Sequence, residues 1–377
     1  LEWIRKSDNS IPPQIPQTVI KVKHNSWEKW LNRGYSILPS IEICRNDKAA
    51  YMELSKILDV CMRPGADVLI QQHPKGDILC FPPTDEIFDE EIKMMDKLKF
   101  NRRSHPIYVK PIPALEPVQF SVQSHRGCLS ACSFCALSLH QGRIIRSRSK
   151  ESILKEIEEF TKHPDFKGIV PDVGGPAVNM YGWECSIGGC NRRACVYPTI
   201  CKNLKHSLKP LAELLKAASK IKGVRKVFLG SGLRYDLIRE DEWDIFEYVI
   251  FNHVSGQLKV APEHFDKKVL HLMRKGENAD FSEFAARFYD SCKKHNKKLF
   301  LVPYLMTAFP GSLEGDKILV RKVKELHLVH EQIQEFTPTP GSMGSAMYYT
   351  EIDFDGNKVW VPKTRTERMK TRAKLQK

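Results

Sequence analysis

From about residue 117 onward the apolar positions switch repeatedly between two periods. Short apolar, β-rich runs fall at 118–123, 168–173, 226–230, 257–261, 298–306 and 332–337. Between them, apolar residues recur at helical spacing over 152–162, 209–222, 240–252, 281–295 and 313–328. A period of two giving way to one of 3.6 predicts successive strand–helix units. Units of this kind, joined by right-handed crossovers, lay their strands side by side as a parallel sheet. Six fall short of the eight that close a full barrel. The pattern therefore predicts an α/β fold built on an open, partial (β/α)6 barrel.

The stretch before this is less regular. Prolines at 12, 13, 16, 64, 74, 82 and 83 interrupt it, around a helical pattern at 46–62 and short strands at 67–71 and 78–81. Prolines at 106, 111, 113 and 117 mark a connector. We expect three parts: 1–116, a smaller α/β segment and connector that reads as part of a larger domain; 117–345, the partial barrel, with a cysteine-rich insertion at 181–205; and 346–377, a short basic C-terminal extension. No internal repeat or low-complexity segment is evident.

Composition narrows the class. Hydrophobic residues make up 42% of 377, enough for a sizeable core. No apolar run approaches the roughly 20 residues a membrane helix needs, so no membrane partner is expected. The chain begins at Leu1 and shows no charged-then-apolar leader, which reads as a segment of a soluble, cytoplasmic protein. A net charge of +14 permits an anionic partner such as RNA without requiring one. The dense basic run at 363–377 is expected to be a solvated helix.

The cysteines say more. An odd count of 11 with tight local spacing argues against a disulfide framework and for metal or cluster ligands in a reducing compartment. Cys44, Cys61, Cys80 and Cys292 stand alone, as small buried apolar residues do. Cys128, Cys132 and Cys135 lie within eight residues, just after the first strand. Zinc sites favour paired Cys-x2-Cys units, and this triplet has no fourth partner in its own loop. A [4Fe–4S] cluster normally takes four thiolates, so three would leave one iron open to an outside ligand, such as an amino acid's amine and carboxylate. Cys185, Cys190, Cys195 and Cys201, spaced x4, x4 and x5, form a second group. Four thiolates would fully ligate a second [4Fe–4S] cluster or a zinc ion, with free thiols as a third reading; Arg192 and Arg193 would offset the thiolate charge.

Cys-x3-Cys-x2-Cys directly after a strand, with Phe134 before the third cysteine, resembles the signature of the radical S-adenosylmethionine (SAM) superfamily. The chain further resembles the YgiQ-type radical SAM proteins, a family whose substrate is not established. The stretches that carry this are Gln71-Gln72-His73, Phe120 to Cys128, His140 to Ser149, Gly174 to Tyr181, Arg193 to Cys201, Gly230 to Asp236, Gly256 to His264 and Ala346 to Tyr349. Members look longer at both ends, with a cobalamin-domain-like N-terminal region that this chain does not contain in full. The resemblance implies a radical SAM barrel, a [4Fe–4S] cluster and SAM. It also implies an external one-electron donor and reductive cleavage of SAM to a 5′-deoxyadenosyl radical that takes a hydrogen atom from substrate. An RNA or nucleotide, a small metabolite or a peptide would serve as substrate. A non-catalytic iron–sulfur or zinc protein that binds nucleic acid is the alternative.

Ligands of such sheets sit at the C-terminal strand ends, and further candidates fall there. Gly174 and Gly175 follow the second strand; in the superfamily this turn binds the SAM amine, although Pro176 replaces the commoner glutamate. After the third strand, Ser231 is placed to meet a ribose and Arg234 a carboxylate. Lys259, Glu263 and His264 bring titratable groups to the fourth. Arg143, Arg146 and Arg148 follow the cysteine loop, with Arg143 the candidate for SAM's carboxylate or the substrate. The turns 309–311 and 337–341 are expected to give shape, not chemistry.

Overall fold

The computed structural model describes residues 19–25, 34–61, 66–74, 76–80, 93, 113–188, 190, 192–276, 280–328 and 333–375. The connector expected before residue 113, the prolines at 12, 13, 16, 64, 82, 83, 106 and 111, and the Cys61 side chain lie outside them.

The N-terminal part opens with β1 (Val19–Val22), β2 (Tyr35–Leu38), α1 (Ile41–Asn46), α2 (Lys48–Cys61), β3 (Val68–His73) and β4 (Gly76–Cys80). Its sheet has the order β1-β4-β3-β2, with β2 parallel to β3 and the other pairs antiparallel. The helix expected at 46–62 is broken at Asp47, whose extended backbone caps α1. Its carboxylate accepts from Ala49 N–H at 2.8 Å, starting α2. Leu38, Cys44, Leu54 and Leu69 form a small core under this sheet. Of the isolated cysteines, Cys44 and Cys292 are buried and Cys80 is half-buried.

The following part is mixed α/β. Its elements are β5 (Val122–Gln123), β6 (His125–Arg126), α3 (Leu137–His140), β7 (Arg146–Ser147), α4 (Lys150–Thr161), β8 (Ile169–Val170), β9 (Val173–Gly174), β10 (Glu184–Cys185) and β11 (Leu204–Lys205). Then come α5 (Lys209–Ala218), β12 (Lys226–Val227), α6 (Trp243–His253), β13 (Gln257–Glu263), α7 (Lys267–Leu272), α8 (Phe281–Lys294), β14 (Phe300–Thr307), α9 (Gly315–Glu325), β15 (Ile333–Glu335), α10 (Met343–Thr350) and α11 (Arg365–Leu375).

Parallel pairings link these strands in chain order. β5 pairs with β9, β8 with β12, Leu233 bridges Val260, β13 pairs with β14, and β14 with β15. β8 and β9 are one run interrupted at Pro171 and Asp172. The ladders are shorter than the apolar runs suggest, and residues 113–120 form turns rather than the start of a strand. Helices cover the sheet with periodic apolar faces: Ile153, Ile157 and Phe160 from α4, Leu211, Leu214 and Leu215 from α5, and Phe246, Val249 and Ile250 from α6 all join the main core. α10 runs across the boundary expected at 345/346.

Met52 of α2 is buried with Phe309, Phe336, Met343 and Met347, so the N-terminal part shares an apolar cluster with the end of the chain. Tyr51 and Tyr349 stack at 4.9 Å, and Lys48 meets Glu351 at 2.9 Å. Among the described residues no helix is long and apolar enough to cross a membrane.

Candidate functional site

The cysteine triplet lies on a loop closed at both ends. β6 and β7 pair antiparallel, His125 opposite Ser147, and Cys128 N–H donates to Gly142 O at 3.0 Å. Gly127 turns the chain into this loop at φ +90°, where a Cβ would stand 2.0 Å from Ile144 O; only glycine fits. Neighbouring elements brace the interior. Ser133 N–H donates to Met273 O at 2.9 Å, and Gly344 N–H to Ser133 O at 2.7 Å. Within the loop Cys135 N–H donates to Cys132 O, and Leu137 N–H points at Cys135 Sγ at 3.4 Å. All three thiols are half-buried. Burial pushes the Cys135 thiol up to about 12, and Cys132 is raised by burial too, although Lys275 and Arg234 pull it back. Unligated, these groups hold their protons; an electropositive metal must displace them. Phe134 packs on the cluster around Phe309 and Met343.

The strand ends form a polar ring whose pivot is Asp172, which the sequence pattern assigned to a strand. Its carboxylate accepts from Gly230 N–H at 2.8 Å, Ser231 N–H at 3.1 Å and the Ser231 hydroxyl at 2.5 Å. Asp172 thus holds the Ser231 hydroxyl in place. Lys259 Nζ donates to Gly230 O at 2.9 Å, which holds the same turn. A Cβ on Gly174 would meet Asp172 Oδ2 at 2.3 Å and Ser231 Oγ at 2.4 Å. One on Gly175 would enter the His125 ring, 2.1 Å from its Cε1. The Gly174–Gly175 turn is therefore required by close packing, whatever else its backbone binds.

Arg234 is buried, and its fork closes on Asp236 at 2.7 and 2.5 Å, with a third bond to Ser130 Oγ at 2.5 Å. Asp236, two residues on, supplies a carboxylate to that fork. The pair holds Asp236 below the usual carboxylate range. Arg234 instead places a fixed cation within reach of Cys132 and Cys128. Glu263 follows an irregularity in the β13–β14 register and has φ +66°, a left-handed backbone rare outside glycine. It reaches Lys275 at 3.7 Å, while burial pushes its carboxyl up. His264 is fully buried, its Nδ1 accepting from Asp266 N–H at 3.0 Å and its Nε2 facing Asp316 at 3.4 Å. A cavity of about 140 Å³ opens beside this group, lined by Tyr235, Asp236, His264, Phe265, Lys275 and Phe281.

The arginines after the loop are also taken. Arg143 meets Asp59 of α2 at 2.8 Å, Arg274 meets it at 2.5 Å, and Arg193 lies 3.7 Å away. Arg143 therefore braces the loop against the N-terminal helix. Arg148 is buried against Glu156 at 2.6 Å and Ser152 at 2.7 Å, tying α4 to the first strand. Arg146 lies on β7, opposite Arg126. Asp59, Asp172, Asp236 and Lys275 escaped the sequence reading. The one available signal was the Arg-x-Asp spacing of Arg234 and Asp236.

In the second cysteine group, β10 and β11 pair with Cys185 opposite Leu204, which closes the insertion as a hairpin. Cys185 and Cys195 are half-buried, Cys201 is buried and Cys190 is exposed. The Cys195 thiol is pushed up to about 11 by burial, and it also feels Cys201, Cys185 and Cys190. Among the described residues, no three His, Cys, Asp or Glu side chains are drawn together around a single metal ion.

The family described as "Radical SAM N-terminal" matches residues 4–121. A UPF0313 protein of Methanosarcina acetivorans is 39% identical over 95% of this chain and 52% of its own length. One of Clostridium botulinum is 42% identical over 91% of this chain and 55% of its own. The chain thus spans about half the length of these relatives. Among solved structures, the radical SAM methyltransferase TsrM from Kitasatospora setae, with tryptophan and a SAM analogue bound, aligns with a TM-score of 0.46 at 14% identity, over 81% of this chain and 61% of that one. That likeness is too distant to bear on function.

Proposed function

This chain belongs to the UPF0313 family, within the radical SAM superfamily, and from that premise we propose that it is the catalytic segment of a radical SAM enzyme. The observation that carries the proposal is three thiols on one braced loop at the C-terminal end of the first of the consecutive parallel strands. We read those strands, with their covering helices, as an open (β/α)6 barrel, and residues 1–116 and 346–377 as flanking parts.

The donor set suits a [4Fe–4S] cluster held by Cys128, Cys132 and Cys135. Three soft thiolates come from one loop, and the N–H of Leu137 already faces one sulfur. When bound, such a cluster with SAM at its open iron supplies one-electron cleavage of the sulfonium, using an electron from an external donor. The chain's own residues then have definable tasks. Gly127 lets the loop leave its strand without a clash. Lys275 and Arg234 lower the cost of thiolate charge at Cys132. Asp172 fixes the Gly230–Ser231 turn beside Gly174, so that backbone groups and not flexible side chains shape the SAM cleft. Phe134 and the apolar cluster behind it keep water from the loop's far side. Glu263 and Lys275 present a buried acid–base pair near Cys132, and Lys275 lines the cavity where substrate would enter.

RNA enters this reading through net charge +14 and the basic helix α11 alone. RNA binding that falls steeply with salt supports it, and feeble, salt-independent binding removes it. The class itself is tested by reconstituting the full-length protein anaerobically with iron and sulfide, then adding dithionite and SAM. Formation of 5′-deoxyadenosine that disappears in Cys132→Ala establishes it. An intact brown cluster without SAM turnover favours a non-catalytic iron–sulfur protein.

A further inference from the structure

We propose that Cys185, Cys190, Cys195 and Cys201 ligate a second, closed [4Fe–4S] cluster packed directly behind the loop of the first. Backbone hydrogen bonds tie Cys185, Cys195 and Cys201 into one hairpin although 16 positions separate the outermost pair. The β10–β11 pairing sets Cys185 opposite Leu204, and Ser186 N–H continues the hairpin to Asn203 O at 2.9 Å. Leu204 N–H turns back to Cys201 O at 3.0 Å, and Cys201 N–H to Cys195 O at 2.7 Å. Cys195 is thereby held inside the hairpin, within electrostatic reach of the other three thiols.

Two features of this loop repeat those of the first. Arg192 N–H points at Cys190 Sγ at 3.4 Å, two residues after the cysteine, as Leu137 N–H does at Cys135. Such N–H groups stabilise a ligating thiolate, because the donor dipole faces the charge. A cation is also fixed beside the sulfurs. The Arg192 guanidinium is pinned across the loop by the carbonyls of Thr199 and Tyr197, and its charge acts on Cys195. Four thiolates leave no iron open, so this cluster would not bind SAM.

Its position gives it a purpose. Cys195 N–H donates to Leu129 O at 2.9 Å, and Leu129 adjoins Cys128. Cys128, Cys195 and Cys201 share one apolar cluster with Leu129, Trp183 and Val196. Arg143 and Arg193, one from each loop, converge on Asp59. A second cluster here is a neighbour of the first in covalent and hydrogen-bonded steps. Each cluster accepts one electron from a low-potential donor such as dithionite, so the chain would take up two.

The proposal uses the radical SAM reading only for the total iron expected, and the two fail separately. The full-length protein is reconstituted anaerobically with iron and sulfide, and iron, sulfide and zinc are counted. Wild type should hold about eight irons and eight sulfides per chain. The triple variant Cys128→Ala/Cys132→Ala/Cys135→Ala should keep about four of each, with an electron paramagnetic resonance signal that SAM does not shift. Cys190→Ala/Cys201→Ala should also keep about four, with a signal that SAM does shift. Should that double variant fail to fold by circular dichroism, Cys185→Ala/Cys190→Ala, at half-buried and exposed positions, carries the same count. A triple variant devoid of iron, or one holding a single zinc through reconstitution, overturns the second cluster and leaves the first intact. Iron kept by the triple variant and absent from the double does the reverse.

Discussion

The loop of Cys128, Cys132 and Cys135 is closed by its own β6–β7 pair and also held from outside, by Met273 and Gly344, whereas the hairpin of Cys185 to Cys201 is held mostly by its own backbone. The first has three thiols, all half-buried; the second has four, ranging from buried to exposed. On the proposed reading, the difference follows from what each would do. A cluster with an open iron has to be aimed at a bound molecule, so its loop needs outside support. A cluster closed by four sulfurs needs only to be enclosed, and a self-contained hairpin suffices. Asp59 ties the two loops to a common point, through Arg143 and Arg193.

The glycines give the sharpest break of that comparison. Gly127→Ala forces a Cβ against Ile144 O at 2.0 Å in a left-handed backbone, and should destabilise the protein by about 4 kcal/mol or prevent cluster assembly. Chemical denaturation and iron content measure it. Asp59→Ala removes the carboxylate that three arginines share, two of them nearly buried, and should cost about 3 kcal/mol. Limited proteolysis should then release the N-terminal part first; retention of wild-type stability would mean the arginines find other partners.

Acid sensitivity belongs to the first loop. Burial lowers His125 from 6.5 to about 4, so the unfolded chain binds its proton before the folded one does. Stability is therefore present above pH 6.5 and lost as pH falls toward 4, by up to about 3 kcal/mol. The difference between wild type and His125→Gln across that window isolates the effect, since the cluster's own acid lability cancels. Smallest is Gly188→Ala in the second hairpin, where φ is +73° but nothing lies within 4 Å of the new Cβ. Backbone strain alone costs about 1 kcal/mol there, and both iron counts should survive.

Much of the architecture was legible because it is periodic. Ile153, Ile157 and Phe160, or Leu211, Leu214 and Leu215, announce helices with one apolar face. The cysteine triplet was legible because its spacing is local. Partners separated in sequence were not. Nothing near Arg143 in the chain points to Asp59, 84 residues earlier, and nothing near Ser231 points to Asp172, 59 positions before it. The intramolecular partners of candidate ligand groups are therefore invisible in the sequence. Arg234 is the opposite case: its partner Asp236 lies two residues away, within reach of the sequence pattern.

The open iron is tested most directly by the paramagnetic resonance spectrum of the reduced full-length protein with and without SAM. The account predicts that the signal belonging to Cys128, Cys132 and Cys135 changes its g-values when SAM is added, and that Cys132→Ala abolishes this change. A reduced, fully loaded protein whose spectrum is identical in both conditions would contradict it.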